Sequence, residues 1–313
     1  MPRQPLTGLF CVDKPAGITS RAVVDELSRL TRSRRVGHAG TLDPLATGVL
    51  LVCLGPATRL VSLAQSLPKR YLARFELGKV SDTDDSTGQV TVVEHTPLPN
   101  RDDLERLLPR YTGVISQVPP QYSAIKLGGQ RAYDLARQGQ QAPLEPRPVE
   151  VHALRLRAFE SPSFELEIEC GSGTYVRSIG RDLGRDLGCG AVMTSLERTA
   201  IGPFTLDRAV ALESLDRHSW REALLAPVEI VSHFPRLICS DTDLDLLAEG
   251  RPVPLDVNSL PEFNREPTES APRVALVSRS GDLLAVGELP AGHAAVQPRL
   301  VFPESLEAAR VSP

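Results

Sequence analysis

No stretch of this chain approaches the roughly 18 consecutive apolar residues that a membrane-crossing helix needs. The opening Met-Pro-Arg-Gln-Pro-Leu-Thr-Gly lacks the hydrophobic segment of a secretory signal, so a cytoplasmic protein is expected. Cysteine is scarce: Cys11, Cys53, Cys170, Cys189 and Cys239 are odd in number, scattered and never spaced Cys-x-x-Cys. That pattern argues against a disulfide framework or a zinc ribbon and predicts buried free thiols in a reducing compartment. Histidine is equally sparse, at His38, His95, His152, His218, His233 and His293, with no His-x-x-x-His, so no metal centre is expected. Gly-x-x-x-x-Gly-Lys-[Ser/Thr] and Gly-x-Ser-x-Gly are both missing, which leaves phosphate-loop hydrolysis and serine acyl transfer without support. No repeat of solenoid or propeller period occurs.

What is present suits a soluble protein with a proper core. The chain has 313 residues, 41% hydrophobic and 24% charged, enough for one large domain and a small one. The net charge of −4 conceals an asymmetry. Residues 1–80 carry 12 Lys+Arg against 5 Asp+Glu, whereas residues 207–313 carry 10 against 17. Phosphate is bound by a local basic face, and the global sum does not decide it.

Gly8–Asp13 reads as a short strand, and Ser20 as the cap of a helix through Val23, Val24, Leu27 and Leu30. Residues 49–54 read as a buried strand and Thr58–Leu67 as a short helix. Tyr71–Leu77 alternates as a strand, with Gln89–Val93 its expected partner across the acidic loop Ser81–Gly88. Arg101–Leu108 is helical. An irregular segment follows from Pro119 to Pro148, with a helix near Ala132–Arg137. Phe164–Cys170 alternates strictly, Gly171-Ser172-Gly173 breaks it, and a helix runs to about Leu187. Composition shifts near 226–236. Beyond lie Leu244–Leu247, strands at 273–278, 283–288 and 299–302, and a polar, proline-rich loop Asn258–Pro272 expected to be mobile. Strands and helices intermix without regular βαβ alternation, which predicts an α+β fold with a mixed, largely antiparallel sheet.

The stretch that carries most chemistry is Gly37-His38-Ala39-Gly40-Thr41-Leu42-Asp43-Pro44-Leu45-Ala46-Thr47-Gly48, directly after the basic run Arg32-Ser33-Arg34-Arg35. Asp43 before Pro44 reads as a helix N-cap with proline at the first helical position. His38 and three glycines within twelve residues exceed what a cap needs, and glycine lets backbone approach a ligand. On the residues alone both readings stand. Asp82, Asp84 and Asp85 do not match a calcium loop and read as a solvated turn, a structural acid, or last a metal site. Arg177 follows Gly-Ser-Gly-Thr-Tyr-Val at a strand-to-helix junction.

In order, the chain holds Gly8-Leu9…Asp13-Lys14-Pro15-x-Gly17-x-Thr19-Ser20, Gly37-His38-x-Gly40-x-Leu42-Asp43-Pro44-x-Ala46-Thr47-Gly48, Lys69-Arg70-Tyr71 and Thr83-x-Asp85-x-x-Gly88. Pro119-x-x-Tyr122-Ser123-Ala124-x-Lys126, Ala132-Tyr133-x-x-Ala136-Arg137-x-Gly139, Gly173-Thr174-Tyr175-Val176-Arg177 and Leu196-x-Arg198 follow. This ordered set, over residues 8–205, resembles the TruB-type tRNA pseudouridine synthases. The segment from about 235 to 302 resembles a small PUA-like domain. The resemblance implies a catalytic domain over 1–232 with an RNA-gripping insertion at about 119–148, and a PUA-like C-terminal domain over 233–313. It implies isomerisation of the T-loop uridine (position 55 of tRNA) to pseudouridine. That reaction needs no cofactor and no metal. It implies tRNA, through its T-arm stem-loop, as the partner of a monomer with no obligate protein partner and no membrane.

Residue by residue, the resemblance makes Asp43 the reacting carboxylate, Tyr71 the stacking residue for the flipped base, and Arg177 the cation beside Asp43. Flipping costs a few kcal/mol, and stacking returns about 1–3 kcal/mol. Asp85 and Arg137 extend Asp43–Arg177 into a network. His38 faces the RNA, Leu196 walls the pocket, and Tyr175, Lys14, Arg59, Lys126 and Arg198 are phosphate or pocket residues. Ser172 stands where many relatives have lysine, which puts one phosphate contact in doubt. Two other classes stay open on the residues: an RNA-folding module in which Asp43 is only a cap, and a hydrolase that uses Asp43 to release a base.

Overall fold

In a computed structural model, the structure describes residues 6–94, 97–123, 125–127, 130–140, 143–255, 271–292 and 294–311. Chain order begins β1 (Gly8–Lys14), α1 (Ser20–Thr31), β2 (Val36–His38), β3 (Thr47–Leu54), α2 (Val61–Ser66), β4 (Lys69–Leu77), β5 (Lys79–Ser81) and β6 (Val90–Val92). It continues with α3 (Arg101–Leu107), β7 (Gly113–Gln117), β8 (Lys126–Leu127), β9 (Gln130–Arg131), α4 (Ala132–Arg137), β10 (Arg147–Glu160), β11 (Ser163–Cys170) and α5 (Val176–Asp186). Then come β12 (Ala191–Ile201), β13 (Phe204–Thr205), β14 (Val210–Ala211), β15 (Arg236–Ile238), α6 (Asp241–Ala248) and β16 (Val253–Pro254). The chain closes with β17 (Arg273–Val277), β18 (Leu283–Glu288), β19 (Ala295–Val301) and α7 (Pro303–Val311).

One ten-stranded sheet runs β14-β1-β3-β12-β4-β11-β10-β7, with β13 on β12 and β2 on β3. Only β1–β14 and β3–β12 pair in parallel within it, so the expected mixed, largely antiparallel α+β fold is observed. A second sheet, β15-β17-β18-β19-β16, forms the curled C-terminal β unit with α6 and α7. The two meet through an apolar cluster that joins Leu60, Ala64 and Ile230 to Ala275, Val286 and Phe302. Among the described residues no helix is long and apolar enough to cross a membrane. All five cysteines are buried and free, as their apolar neighbours predict.

Local readings fail where tertiary partners intervene. Asp43 caps no helix: Asp43–Ala46 is a β-turn in which Ala46 N donates to Asp43 O at 3.0 Å. Pro44 presets the second position of that turn instead of a first helical turn. Thr19, not Ser20, caps α1, accepting from Ala22 N. Residues 90–92 pair with β5 because both edges of β4 are already taken by β11 and β12. The periodicity reading assigned neither β10 nor β12. Register shifts at Met193/Ser195 and Arg198/Ala200 break the two-residue alternation of β12. Most of the Asn258–Pro272 loop lies outside the described residues.

Gly48 shows how tightly β3 and β12 meet. Its φ is +94°, and a Cβ there would lie 2.3 Å from Arg198 O and 2.9 Å from Arg198 N. Backbone cannot yield as a side-chain tip can. Gly48→Ala is expected to destabilise by about 3 kcal/mol, from left-handed strain plus strand separation. Denaturant titration of the purified variant measures it.

Candidate active site

The Asp43 turn is held from several sides. The buried Ser20 hydroxyl accepts from Leu42 N at 2.8 Å and donates to Leu42 O at 3.1 Å. Gly17 N donates to Pro44 O at 2.7 Å, and Ala39 N to Leu51 O at 2.9 Å. Arg198, 1% exposed, donates from Nε to Val49 O at 2.7 Å and from Nη2 to Gly40 O at 3.2 Å. A loop that short of repetitive structure is thus pinned by backbone groups of β3 and side chains of α1 and β12.

Arg177 enters from the first turn of α5. Gln117 fixes that turn: its Oε1 accepts from Tyr175 N at 2.8 Å and its Nε2 donates to Tyr175 O at 3.1 Å. The guanidinium grips Asp43 with two donors, Nε to Oδ2 at 2.9 Å and Nη2 to Oδ1 at 3.3 Å. It also donates to Thr83 O at 2.9 Å and Tyr122 O at 3.0 Å, and its Nε lies 3.7 Å from Asp85 Oδ2. Asp85 Oδ1 is held by Thr83 and by the hydroxyl and amide of Thr87. The side chain of Arg137, the fourth member of the expected network, lies outside the described residues.

Burial pushes the Asp43 carboxyl above its ordinary range; Arg177 and Lys14 oppose this and Asp85 adds to it. Arg177 therefore offsets only part of the desolvation.

Asp43 and Arg177 border a cavity of about 300 Å³, whose wall includes Tyr71, Leu196, Tyr175 and Arg198. That volume lies in the range of small-molecule sites. Tyr71 and Arg198 face each other across β4 and β12. Burial raises the Tyr71 phenol above its usual pKa despite the Arg198 charge, so it stays neutral and is a weak base. Tyr175 is raised by burial as well.

Other predicted residues fall elsewhere. Lys14 is fully buried and donates to Pro15 O at 2.8 Å and Ile18 O at 2.9 Å. Burial lowers its pKa to about 8, and it does not line the cavity. A phosphate cannot reach an ammonium enclosed by carbonyls. Arg59 points to the C-terminal sheet, donating to Val301 O with its guanidinium 5.6 Å from the Phe302 ring centre. His38 is half-buried next to the cavity loop, and its Nδ1 has no partner among the described residues. Burial and the Arg198 charge hold it below its ordinary pKa, so the ring is neutral at physiological pH. The Lys126 side chain lies outside the described residues. Asp82, Asp84 and Asp85 do not converge: Asp84 faces Arg181, and among the described residues no cluster suits a metal.

Sequence reasoning missed Ser20 as the anchor of Leu42, Gln117, and Lys69. Lys69 lies in the Lys-Arg-Tyr motif, lines the cavity and bonds Gln65 O; burial lowers its pKa to about 8. Gln117 carries no local signal at all.

Comparison with known proteins bears on this geometry. The family profile described as TruB family pseudouridylate synthase (N terminal domain) matches residues 28–176. That of the tRNA pseudouridylate synthase B C-terminal domain matches residues 177–231. The chain is 39% identical over 311 residues to a tRNA pseudouridine synthase B of Agrobacterium fabrum, covering 96% of this chain and 95% of that protein. It is 43% identical over 256 residues to one of Chromobacterium violaceum, covering 80% and 83%. Among solved structures, the crystal structure of a Cbf5-Nop10-Gar1 complex superposes with TM-score 0.70 at 25% identity, over 94% of this chain and 84% of that one.

Proposed function

This chain belongs to the TruB family of pseudouridylate synthases and carries tRNA pseudouridine synthase activity, and we propose that its target is the T-loop uridine, position 55 of tRNA. In this reading the uridine leaves its stack and enters the cavity beside Asp43. The C1′–N1 bond breaks, the uracil turns, and a C1′–C5 bond forms. A proton leaves C5 and one is gained at N1, so the reaction is an isomerisation in balance. Asp43 supplies the carboxylate, as attacker of C1′ or C6 or as base toward the ribose. Arg177 keeps that carboxylate oriented and favours its charged form. Tyr71 stacks on the base, with Leu196 and Tyr175 bounding it.

The observation that carries the reading is the two-donor Arg177–Asp43 ion pair at the edge of a tyrosine-lined cavity. His38 serves the RNA as a neutral ring filling space left by the base. Arg198 and Lys14 act by holding backbone, Arg59 by holding the C-terminal sheet, the segment 119–148 with Lys126 grips the T-arm, and Arg137 extends the Asp43–Arg177–Asp85 network. We also assign the catalytic domain to 1–232 and the C-terminal domain to 233–313, and expect a cytoplasmic monomer.

The test uses tRNA transcripts carrying 5-tritiated uridine. Tritium release is expected from tRNA with its T-loop uridine and not from a transcript with cytidine at that position. Equal release from both would reject the assignment of the site. Free uracil among the products would favour a hydrolase instead.

A further inference from the structure

α5 presents a second arginine one helical turn beyond Arg177. Arg181 donates from Nη1 to Asp84 Oδ2 at 2.9 Å, from Nε to Asp182 Oδ1 at 3.0 Å and from Nη2 to Val118 O at 2.7 Å. Asp84 lies at φ 62°, a left-handed conformation that aspartate tolerates better than most side chains. Its backbone is bonded on both sides, N to Ser81 O at 3.2 Å and O from Met193 N at 3.2 Å. Burial raises the Asp84 carboxyl, with the Arg181 charge the main opposing influence.

Arg177 and Arg181 thus tie the same two segments together twice. Arg177 spans Thr83 O and Tyr122 O. Arg181 spans Asp84, the residue after Thr83, and Val118 O, four residues before Tyr122. Neither Asp84 nor Arg181 lines the cavity, whereas Tyr122, Ser123 and Arg177 do. Asp182 also pairs with Arg185 at 2.9 Å and Val118 O also accepts from the Ser178 hydroxyl at 3.1 Å, so Asp84 is the partner that depends most on Arg181.

We propose that Arg181 is a positioning residue for the reaction: by bonding Asp84 and Val118 O it sets the acidic loop and the Val118–Ser123 segment so that Arg177 grips Thr83, Tyr122 and Asp43 at once. The inference rests on the reading of Asp43–Arg177 as the reacting pair. Without Arg181 the largely buried Asp84 loses its ion-pair partner and the loop relaxes around its left-handed residue. The Thr83 carbonyl then moves, and Arg177 follows. A displacement near 1 Å at a reacting group is enough to slow a reaction by about 100-fold.

The experiment is single-turnover tritium release from full-length tRNA, with tRNA binding and thermal denaturation measured on the same proteins. Arg181→Gln is expected to lower the single-turnover rate by about 10- to 100-fold, with the dissociation constant within about threefold of wild type. Arg181→Lys is not expected to restore it, because one ammonium cannot span acceptors lying in separate directions. Asp84→Asn keeps the left-handed backbone and removes the charge. It is expected to slow the reaction, and Arg181→Gln/Asp84→Asn to be no slower than the worse single variant. Asp84→Asn carries the test even where Arg181→Gln does not fold. A wild-type rate for Asp84→Asn, full rescue by lysine, multiplicative losses, or a loss confined to binding would each overturn the proposal. A wild-type rate for Arg177→Lys would instead remove the reading beneath it.

Discussion

Asp43→Asn is expected to lower the single-turnover rate by at least about 10⁴-fold while the protein stays folded. Every route open to the reaction uses an ionised carboxylate at this position, and an amide of the same shape supplies none. The stability consequence has a definite sign. Burial raises the Asp43 carboxyl above its unfolded value, with Arg177 opposing only in part. A carboxyl raised in the folded state contributes stability at low pH that is lost as pH rises through its folded pKa. At neutral pH the charged Asp43 therefore costs stability, and the neutral Asn variant should melt at the wild-type temperature or above it. The same shift fixes the pH–rate profile of the wild-type enzyme. Its acid limb should lie above the ordinary carboxylate range, with the rate falling about tenfold per pH unit below it. Asp43 faces Arg177 from α5, Asp85 from the acidic loop and Lys14 from β1, and these charges set where the limb falls. Tritium release across about pH 4 to 8 and thermal melting of both proteins provide the check. Release by the Asn variant within tenfold of wild type, or a lowered melting temperature large enough to explain the loss, would sink the assignment.

Arg177→Lys is expected to cost about 100- to 1,000-fold in the single-turnover rate, with tRNA binding within about threefold. Arg177 is 5% exposed and spends its donors in separate directions: both Asp43 oxygens, Thr83 O and Tyr122 O, with Asp85 close by. A lysine ammonium is a single point with three donors. It cannot serve Asp43 in fork geometry and also satisfy two part-buried carbonyls, and each acceptor left unsatisfied costs up to about 1–3 kcal/mol. A weaker pairing also leaves Asp43 more strongly raised. The acid limb of the variant should therefore move to higher pH than in wild type. That displacement separates a change at Asp43 from mere loss of packing. A normal single-turnover rate with weakened tRNA binding would place Arg177 on the RNA instead.

Much of the local structure is legible in the residues themselves. Phe164–Cys170 alternates because one face of β11 is buried, and the helix of Val23, Val24 and Leu27 shows its apolar spacing plainly. Failures have specific causes. β12 is central yet holds Glu197 and Arg198, which look exposed until Arg198 is seen bonding Val49 and Gly40 backbone inside the sheet. The family resemblance makes Lys14 a phosphate or pocket residue. Its enclosure by Pro15 and Ile18 carbonyls arises from the turn after β1, which periodicity does not encode. Asp-Pro has the same local chemistry in a turn as at a helix start, so only the arrival of β3 beside β12 decides between them.

By itself the sequence determined the pieces governed by neighbours along the chain: strand and helix faces, the buried state of the cysteines, and the order of motifs that marks the family. Tertiary structure alone decided what depends on residues distant in sequence. Asp43 and Arg177 are 134 positions apart, and no local signal states that their side chains meet. Nor does any local signal say whether desolvation or the guanidinium prevails at Asp43, since both arise only when the sheet closes the cavity around the pair. Burial and charge pairing are properties of the assembled fold, and they set the chemistry of a carboxylate whose position the chain spells out.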